Sequence, residues 1–298
     1  MIDGLWLVLR AVGLVLTLQA AGAVLFLTVL RAQLTHSQAE VTRSARRVTL
    51  AALIVSALQC GLEGARMAGE WPAPFELARL LVASSAGQAL VSRSALLLWM
   101  EAGLSRAGAA RRAMATLAAV GVLLCFLVTG HTAVSPMRVL LAPLLLVHVA
   151  AAAFWLGSLW PLRRLAAFGP RDEAARVVAA FSRVAVRLVP LIPLAGLGMA
   201  LLLLPGLKAL WTPYAGLLGV KIALFAALML LAALNRLRLA PAMARGDAAA
   251  SDSFRRTVLI EYLLIAVTLA VTAVLTGFYS PSGMGAALTR GAALTGCA

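Results

Sequence analysis

The sequence has 298 residues, of which 62% are hydrophobic and 12% are charged, with a net charge of +15. Soluble domains carry about 25% charged residues, and a soluble globule of this length cannot bury so much apolar surface. Three cysteines are too few for a disulfide scaffold, and the composition also excludes disorder and a collagen-like fibre. The basic residues lie between apolar runs rather than in one patch, which indicates membrane topology and not nucleic-acid binding. The sequence therefore predicts a polytopic membrane protein.

Eight apolar segments are long enough to cross a bilayer, which takes about 20 residues. They cover approximately residues 4–30, 48–68, 88–104, 113–130, 138–160, 179–204, 214–235 and 257–279. The third contains Arg93 and follows a mildly amphipathic stretch from Phe75 to Ala86, which we expect to form a short interfacial helix. The predicted fold class is all-α: a transmembrane bundle of about eight helices forming one domain over residues 1–280, followed by a mobile periplasmic tail, 281–298.

Arginines accumulate in alternate connections between the segments. They follow the first, third, fifth and seventh segments, whereas the other connections contain only the basic residues Arg79, Arg138 and Lys208. The positive-inside rule places the arginine-rich connections in the cytoplasm and both termini outside. An even number of spans agrees with this orientation.

The chain contains a weak internal repeat. Residues 88–97 of the third segment resemble residues 216–225 of the seventh, and each copy places one cation, Arg93 or Lys221, among apolar residues. The ends of the fourth and eighth segments are also similar. A duplication would give two parallel four-helix halves, 1–137 and 138–280, an arrangement known from transporters. Chance similarity between apolar sequences is the alternative.

Two histidines lie where the two halves meet. His148 is deep in the fifth segment, where an ionisable side chain is costly and by default suggests function. His131 follows the fourth segment at its outer end. Their counterparts in the repeat are Gln19 and Phe278, so a histidine site is expected in one half only.

We interpret His148 as a metal or haem ligand or a proton carrier, with a hydrogen-bonded packing histidine as the alternative. His131 is a candidate metal ligand, with a solvated loop residue as the alternative. A helical rise of about 1.5 Å per residue puts His148 roughly 10–16 Å below the outer mouth. The two imidazoles are therefore expected to act as successive stations unless the loop folds inward.

Soft donor groups accompany the histidines. Cys125 lies near the end of the fourth segment, Cys60 lies within the second, and Met137 precedes the fifth. Thiolate and thioether favour Cu(I), and imidazole suits copper, zinc and iron. The candidate metal site therefore includes Cys125, Cys60 and Met137, although each alone is also an ordinary packing residue. Sequence leaves a disulfide between the two cysteines open.

Arg93 and Lys221 are cations within membrane segments. We expect them to form structural ion pairs with Glu63 or Glu101, or to bind a propionate or a lipid headgroup. Trp155, near the end of the fifth segment, is interpreted as a packing or interface residue rather than a cofactor contact. These three residues are assigned a supporting role.

Several motifs resemble the copper-resistance D (CopD) family. Gly130-His131 and residues 148–159, which include His148, Trp155 and Gly157, resemble its signature, and residues 181–183, 214–221 and 234–236 resemble its later helices. The resemblance extends over about residues 110–245 and, before that, is limited to layout. It implies an eight-helix protein of the bacterial inner membrane that handles copper, usually by bringing it into the cytoplasm. It also implies a separate periplasmic partner of the CopC type.

Three functions follow from these observations. The first is transport of copper, as Cu(I), received near His131 and Met137 and passed inward through His148 by ligand exchange. The second is a redox protein with haem b or a porphyrin, because the histidine–tryptophan–glycine pattern also resembles HemJ-type protoporphyrinogen oxidases, four-helix proteins with a histidine and a lysine. The third is an assembly factor that delivers copper to a partner. We expect a transporter rather than an enzyme, driven by a gradient or passive, since no nucleotide-binding motif is present.

Overall fold

The structure is a computed structural model that describes residues 2–128, 135–203 and 213–278. Within these ranges the chain forms helices joined by short connections, and it contains no strand. The helices are α1 (Ile2–Val29), α2 (Gln38–Ala68), α3 (Pro74–Ala83), α4 (Ser85–Leu104), α5 (Ala109–Leu124), α6 (Arg138–Phe168), α7 (Arg171–Leu188), α8 (Leu191–Leu203), α9 (Pro213–Leu234), α10 (Ala240–Ala244) and α11 (Ala248–Phe278). Short 3₁₀ turns occupy Arg31–Gln33 and Cys125–Val128, and a π-helical segment, Asn235–Leu239, joins α9 to α10.

Seven helical segments in the described ranges are long and apolar enough to cross a membrane, and α3 and α4 together make an eighth candidate. These two helices meet at an angle of 107°. Ser84 stands at the bend, where its side chain accepts a hydrogen bond of 3.0 Å from the backbone nitrogen of Gly87. A side chain at Gly87 would collide with the backbone of Leu81, so the bend requires glycine at this position. The all-α transmembrane class and the short helix before the third segment are confirmed.

Most helices extend beyond the segments predicted from hydropathy. The second helix begins at Gln38 rather than residue 48, α6 continues to Phe168, and α11 begins at Ala248. Hydropathy marks only the part of a helix that crosses the apolar layer, while helical hydrogen bonding continues through polar turns outside it. The sixth segment is divided into α7 and α8 at Pro190, which cannot donate the hydrogen bond that a continuous helix needs.

Helix α1 lies at the centre of the bundle and packs against α2, α5, α6 and α11. Its closest approach is to α6, where Gly22 faces Ala153 and Gly157. A Cβ atom at Gly22 would collide with the carbonyl oxygen of Ala153, and one at Gly157 would collide with the backbone of Gly22. Small residues at such a crossing let two membrane helices pack backbone to backbone. This contact joins the first four spans to the last four.

The packing within the two predicted halves follows a similar pattern. Helix α1 packs on α2 and α5, and α4 packs on α5. In the second half, α6 packs on α8 and α11, and α9 packs on α11. This correspondence is what a duplication predicts, and the division into halves stays a prediction.

The arginine-rich connections meet at one end of the bundle. Arg164 at the end of α6 pairs with Glu40 at the start of α2 at 2.6 Å. The fully buried carboxylate of Glu173, at the start of α7, accepts hydrogen bonds from the backbone nitrogens of His36 and Ser37. At the ends of other helices, Arg46 of α2 pairs with Glu101 of α4, and Arg236 of the π-helical segment donates to the carbonyl of Ser182 in α7. A shared end is what the positive-inside rule requires of these connections.

The backbone contact between α1 and α6 predicts a strong sensitivity to added methyl groups. We expect Gly22→Ala and Gly157→Ala each to destabilise the bundle by about 1–3 kcal/mol or more, because the new Cβ overlaps backbone that cannot rotate away. The measurement is the apparent midpoint of thermal unfolding in detergent. The control is Gly219→Ala in α9, where a Cβ meets nothing within 4 Å. Equal midpoints for all three variants would contradict the close crossing.

Candidate functional site

His148 is held in one orientation by a neighbouring helix. Its Nδ1 atom lies 2.9 Å from the carbonyl oxygen of Ile192, in the first turn of α8. A carbonyl oxygen only accepts, so Nδ1 carries the hydrogen and donates it, which leaves Nε2 with a free lone pair. The ring lies against Gly196, where a Cβ would be 3.6 Å from the imidazole. Fixing one ring nitrogen on a carbonyl is how proteins commonly orient a metal-binding histidine.

Lys221 of α9 stands close enough to His148 to act on it electrostatically. No ion pair or hydrogen bond joins Lys221 to another described residue. An ammonium group near an imidazole repels a metal cation bound to that ring. Metal binding at His148 is therefore favoured when Lys221 is neutral or when an anionic ligand accompanies the metal.

A second polar group lies two helical turns further along the same face of α6. Trp155 is 3% exposed, and its Nε1 donates to Glu261 of α11 over 3.2 Å. Its ring packs edge-on against Phe225 of α9, with 6.4 Å between ring centroids. Trp155 is thus buried between helices, which agrees with its interpretation as a packing residue.

Glu261 is the centre of a network that the sequence analysis did not identify. Its side chain is 3% exposed, and its Oε1 accepts a 2.7 Å hydrogen bond from Nδ2 of Asn235. The amide oxygen of Asn235 accepts from the hydroxyl of Thr257. Next to Glu261, the hydroxyl of Tyr262 donates to Gln19 of α1 over 2.9 Å. The sequence offered one sign of this residue, because a carboxylate inside an apolar segment by itself suggests function.

We name these residues the polar column: His148 and Lys221 at one level, and Trp155, Glu261, Asn235 and Thr257 at the other. Seven residues separate His148 from Trp155, which places the two levels about 10 Å apart along α6. Helices α6, α8, α9 and α11 provide the walls. All residues of the column lie in the second predicted half, 138–280.

The two cysteines lie in the first half, and both are near Arg93. The guanidinium of Arg93 acts electrostatically on the thiols of both Cys60 and Cys125, which are free of a disulfide. Arg93 also donates to Oε1 of Gln59 over 3.4 Å and lies 5.7 Å from the ring centroid of Phe126. Burial opposes ionisation of both thiols, whereas the positive charge of Arg93 favours their thiolate forms, which are the metal-binding forms.

The carboxylates expected as partners of Arg93 and Lys221 are engaged elsewhere. Glu63 accepts from Trp6 over 2.7 Å and lies 3.8 Å from Arg66. Glu101 pairs with Arg46 at 2.7 Å. The predicted ion pairs are therefore wrong, because Glu63 and Glu101 each interact with an arginine other than Arg93.

The predicted metal ligands do not form one site. Within the described ranges, no three histidine, cysteine, aspartate or glutamate side chains come together in a way that could hold a metal ion. Met137 is 43% exposed at the start of α6 and lies eleven residues, about 16 Å, from His148. His131 lies outside the described residues. The arrangement separates a thiol pair in one half from an imidazole in the other.

This separation predicts independent losses of metal. We expect His148→Ala and the double variant Cys60→Ser/Cys125→Ser each to remove part of the Cu(I) bound by the purified protein, and the triple variant to lose the sum, because separated sites contribute additively. The measurement is Cu(I) titration against a competing chelator. The exposed His36 provides the control, His36→Ala, which should bind as the wild type does. A loss in the triple variant no larger than in either parent would show one shared site.

Residues 175–275 match the family model described as CopD, copper resistance protein D. The match covers most of α7, all of α8 to α10 and most of α11, and therefore Ile192, Lys221 and Glu261. It extends further towards the C-terminus than the resemblance drawn from the sequence, and it does not include residues 130–131 or 148–159. No curated protein and no solved structure matches the chain significantly. Residues 175–275, about a third of this membrane protein, are therefore similar to the copper resistance protein D family.

Proposed function

We propose that this protein transports copper across the bacterial inner membrane, into the cytoplasm, and so contributes to copper homeostasis or resistance. The observation that carries the proposal is the position of His148. Its walls on α8, α9 and α11 all belong to the segment that matches the copper resistance family. An oriented imidazole in that setting is a ligand suited to copper.

Copper would pass through the bundle by exchange between separate ligand groups. Entry is at the outer end of the bundle, near His131 and Met137, with a periplasmic copper-binding protein of the CopC type as donor. The imidazole of His148 then takes the ion, and Cys60 and Cys125 offer a softer pair that favours Cu(I). Two thiolates with one Cu(I) carry a net negative charge, which Arg93 neutralises. Separate stations of moderate affinity allow an ion to leave as well as to enter.

The orientation of the bundle follows from its basic end. The connections that meet there face the cytoplasm under the positive-inside rule, so both termini lie outside. His148, ten residues into α6 from Arg138, is then in the outer half of the membrane. Glu261 lies nearer the cytoplasmic end.

The transport proposal predicts that one histidine is essential. We expect His148→Ala to reduce copper uptake to the level of vesicles without protein, because no other described imidazole faces the column. The measurement is uptake of isotopically labelled copper into proteoliposomes under reducing conditions. His36→Ala is the matched control and should transport normally, since His36 is exposed at the basic end of the bundle. Normal uptake by a folded His148→Ala protein would remove His148 from the route.

A second candidate function is supported by the proximity of His148 to Lys221. A histidine with a free Nε2 beside a lysine is a plausible setting for a haem iron and one propionate, or for a porphyrin substrate. Under this haem or porphyrin hypothesis, the protein is a membrane redox protein rather than a transporter.

The two candidates predict different spectra. A copper carrier purified in detergent is expected to contain copper, or to take it up, without a Soret band, whereas a haem protein shows a Soret band that His148→Ala weakens or shifts. Visible spectra and elemental analysis of the wild type and His148→Ala decide between them. Transfer of copper to a partner protein without uptake into vesicles would instead indicate a delivery factor.

A further inference from the structure

Glu261 is a buried carboxyl group with neutral hydrogen-bond partners. Its two oxygen atoms accept from the indole of Trp155 at 3.2 Å and the amide of Asn235 at 2.7 Å. Both donors are uncharged, and these are the polar groups that act on the carboxyl. Hydrogen bonds of this kind orient a carboxylate, but they do not cancel its charge.

The charged groups on the helices around Glu261 are directed elsewhere. On α1, Arg10 binds Thr276, fifteen residues along α11 from Glu261. On α6, His148 is two turns away and Arg164 pairs with Glu40. On α9, Lys221 lies at the level of His148. The remaining charges are Arg138 and Arg163 of α6, Arg236 and Arg238 of the π-helical segment, and Asp252, Arg255 and Arg256 of α11, all nearer the helix ends. The nearest titratable neighbour, Tyr262, donates to Gln19.

A carboxylate without a counter-ion is costly to bury, and a bound proton removes that charge without moving a helix. The chain contains a comparison. Glu63 also accepts from a tryptophan, Trp6, but Arg66 lies 3.8 Å away. Two tryptophan–glutamate pairs thus differ in whether a cation accompanies them. Glu261 is the one whose charge is uncompensated.

The network leads from Glu261 towards the basic end of the bundle. Asn235 opens the π-helical segment Asn235–Leu239, and Thr257, one turn before Glu261, is half-buried. Segments of π-helix occur mostly as local bulges, frequently at functional sites. Here the bulge begins at the residue whose amide binds both Glu261 and Thr257. Polar groups therefore connect the buried carboxyl with the more accessible end of α11.

We propose that Glu261 is a proton-binding site that couples copper movement to a proton. The inference rests on the proposed transport function. A cation arriving at His148, about 10 Å along the same helix face, favours the negatively charged carboxylate of Glu261 over its neutral acid form. The O–H bond of the acid then breaks, the proton passes to water at the end of the bundle marked by Asn235 and Thr257, and the carboxylate is left. Departure of copper into the cytoplasm allows the carboxylate to bind a proton from the outer side, so that one proton crosses the membrane in the same direction as the copper ion.

Transport assays test the coupling. Proteoliposomes that contain a pH-sensitive dye are given Cu(I) held by a weak chelator under reducing conditions, and copper uptake and internal pH are recorded together. We expect copper-driven pH changes with the wild type and with Glu63→Gln, and a pH change as small as in empty vesicles with Glu261→Gln. A Glu261→Gln protein that still moves protons with copper overturns the proposal.

Infrared difference spectroscopy tests the proton site without any copper transport. During a pH titration of the purified protein, we expect a carboxylic acid band in the wild type and in Glu63→Gln that is absent from Glu261→Gln. Glu261→Asp retains the acid group and shifts the band, which identifies the residue if the glutamine variant does not fold. An unchanged band in both Glu261 variants overturns the proton site. If the wild type shows the band but moves no copper, the proton site stands and the transport function fails.

Discussion

The bundle depends on the backbone contact between α1 and α6 at Gly22 and Gly157. Lipid tails are as apolar as the helix surfaces, so membrane helices associate through close packing rather than through the hydrophobic effect. Helix α1 packs on four others, and the residues around its contact, including Ala20, Ala21 and Ala153, are fully buried. The opposite side of α6 is therefore presented to α8, α9 and α11 from a fixed position, and His148 and Trp155 lie on it.

The charged residues within the membrane segments have different surroundings in the two halves of the chain. In the first half, Glu63 and Glu101 lie next to arginines, and Arg93 is surrounded by a neutral amide, an aromatic ring and two thiols. In the second half, neither Lys221 nor Glu261 has an oppositely charged partner among the described residues, and the two lie at different levels of the bundle although a direct pair would stabilise both. Uncompensated charges in a membrane persist where they serve a function. This difference indicates that a functional site is to be sought in the second half.

Sequence predicted the membrane class, the approximate spans and the short helix before α4, because hydropathy and amphipathic patterns are local. It placed the ends of α2, α6 and α11 wrongly, since helices continue through polar turns that hydropathy does not mark. Among the site residues, His148 was identified from its depth, but its bond to Ile192 depends on how α8 packs. Glu261 was visible as a carboxylate in an apolar segment. The proposal that Glu261 binds a proton depends on the absence of a nearby cation among the described residues, which only the three-dimensional arrangement shows.

The break at Pro190 has a consequence for His148. Helices α7 and α8 together form one candidate span, which is interrupted only at this proline. The carbonyl of Ile192, two residues after the break, is what fixes the imidazole of His148. Rotation of α8 by a few degrees would therefore turn the ring with it, and the lone pair of Nε2 would sweep through an arc between the outer and inner parts of the bundle. The direction in which the free nitrogen of this histidine points is thus set by the position of a helix to which the histidine does not belong.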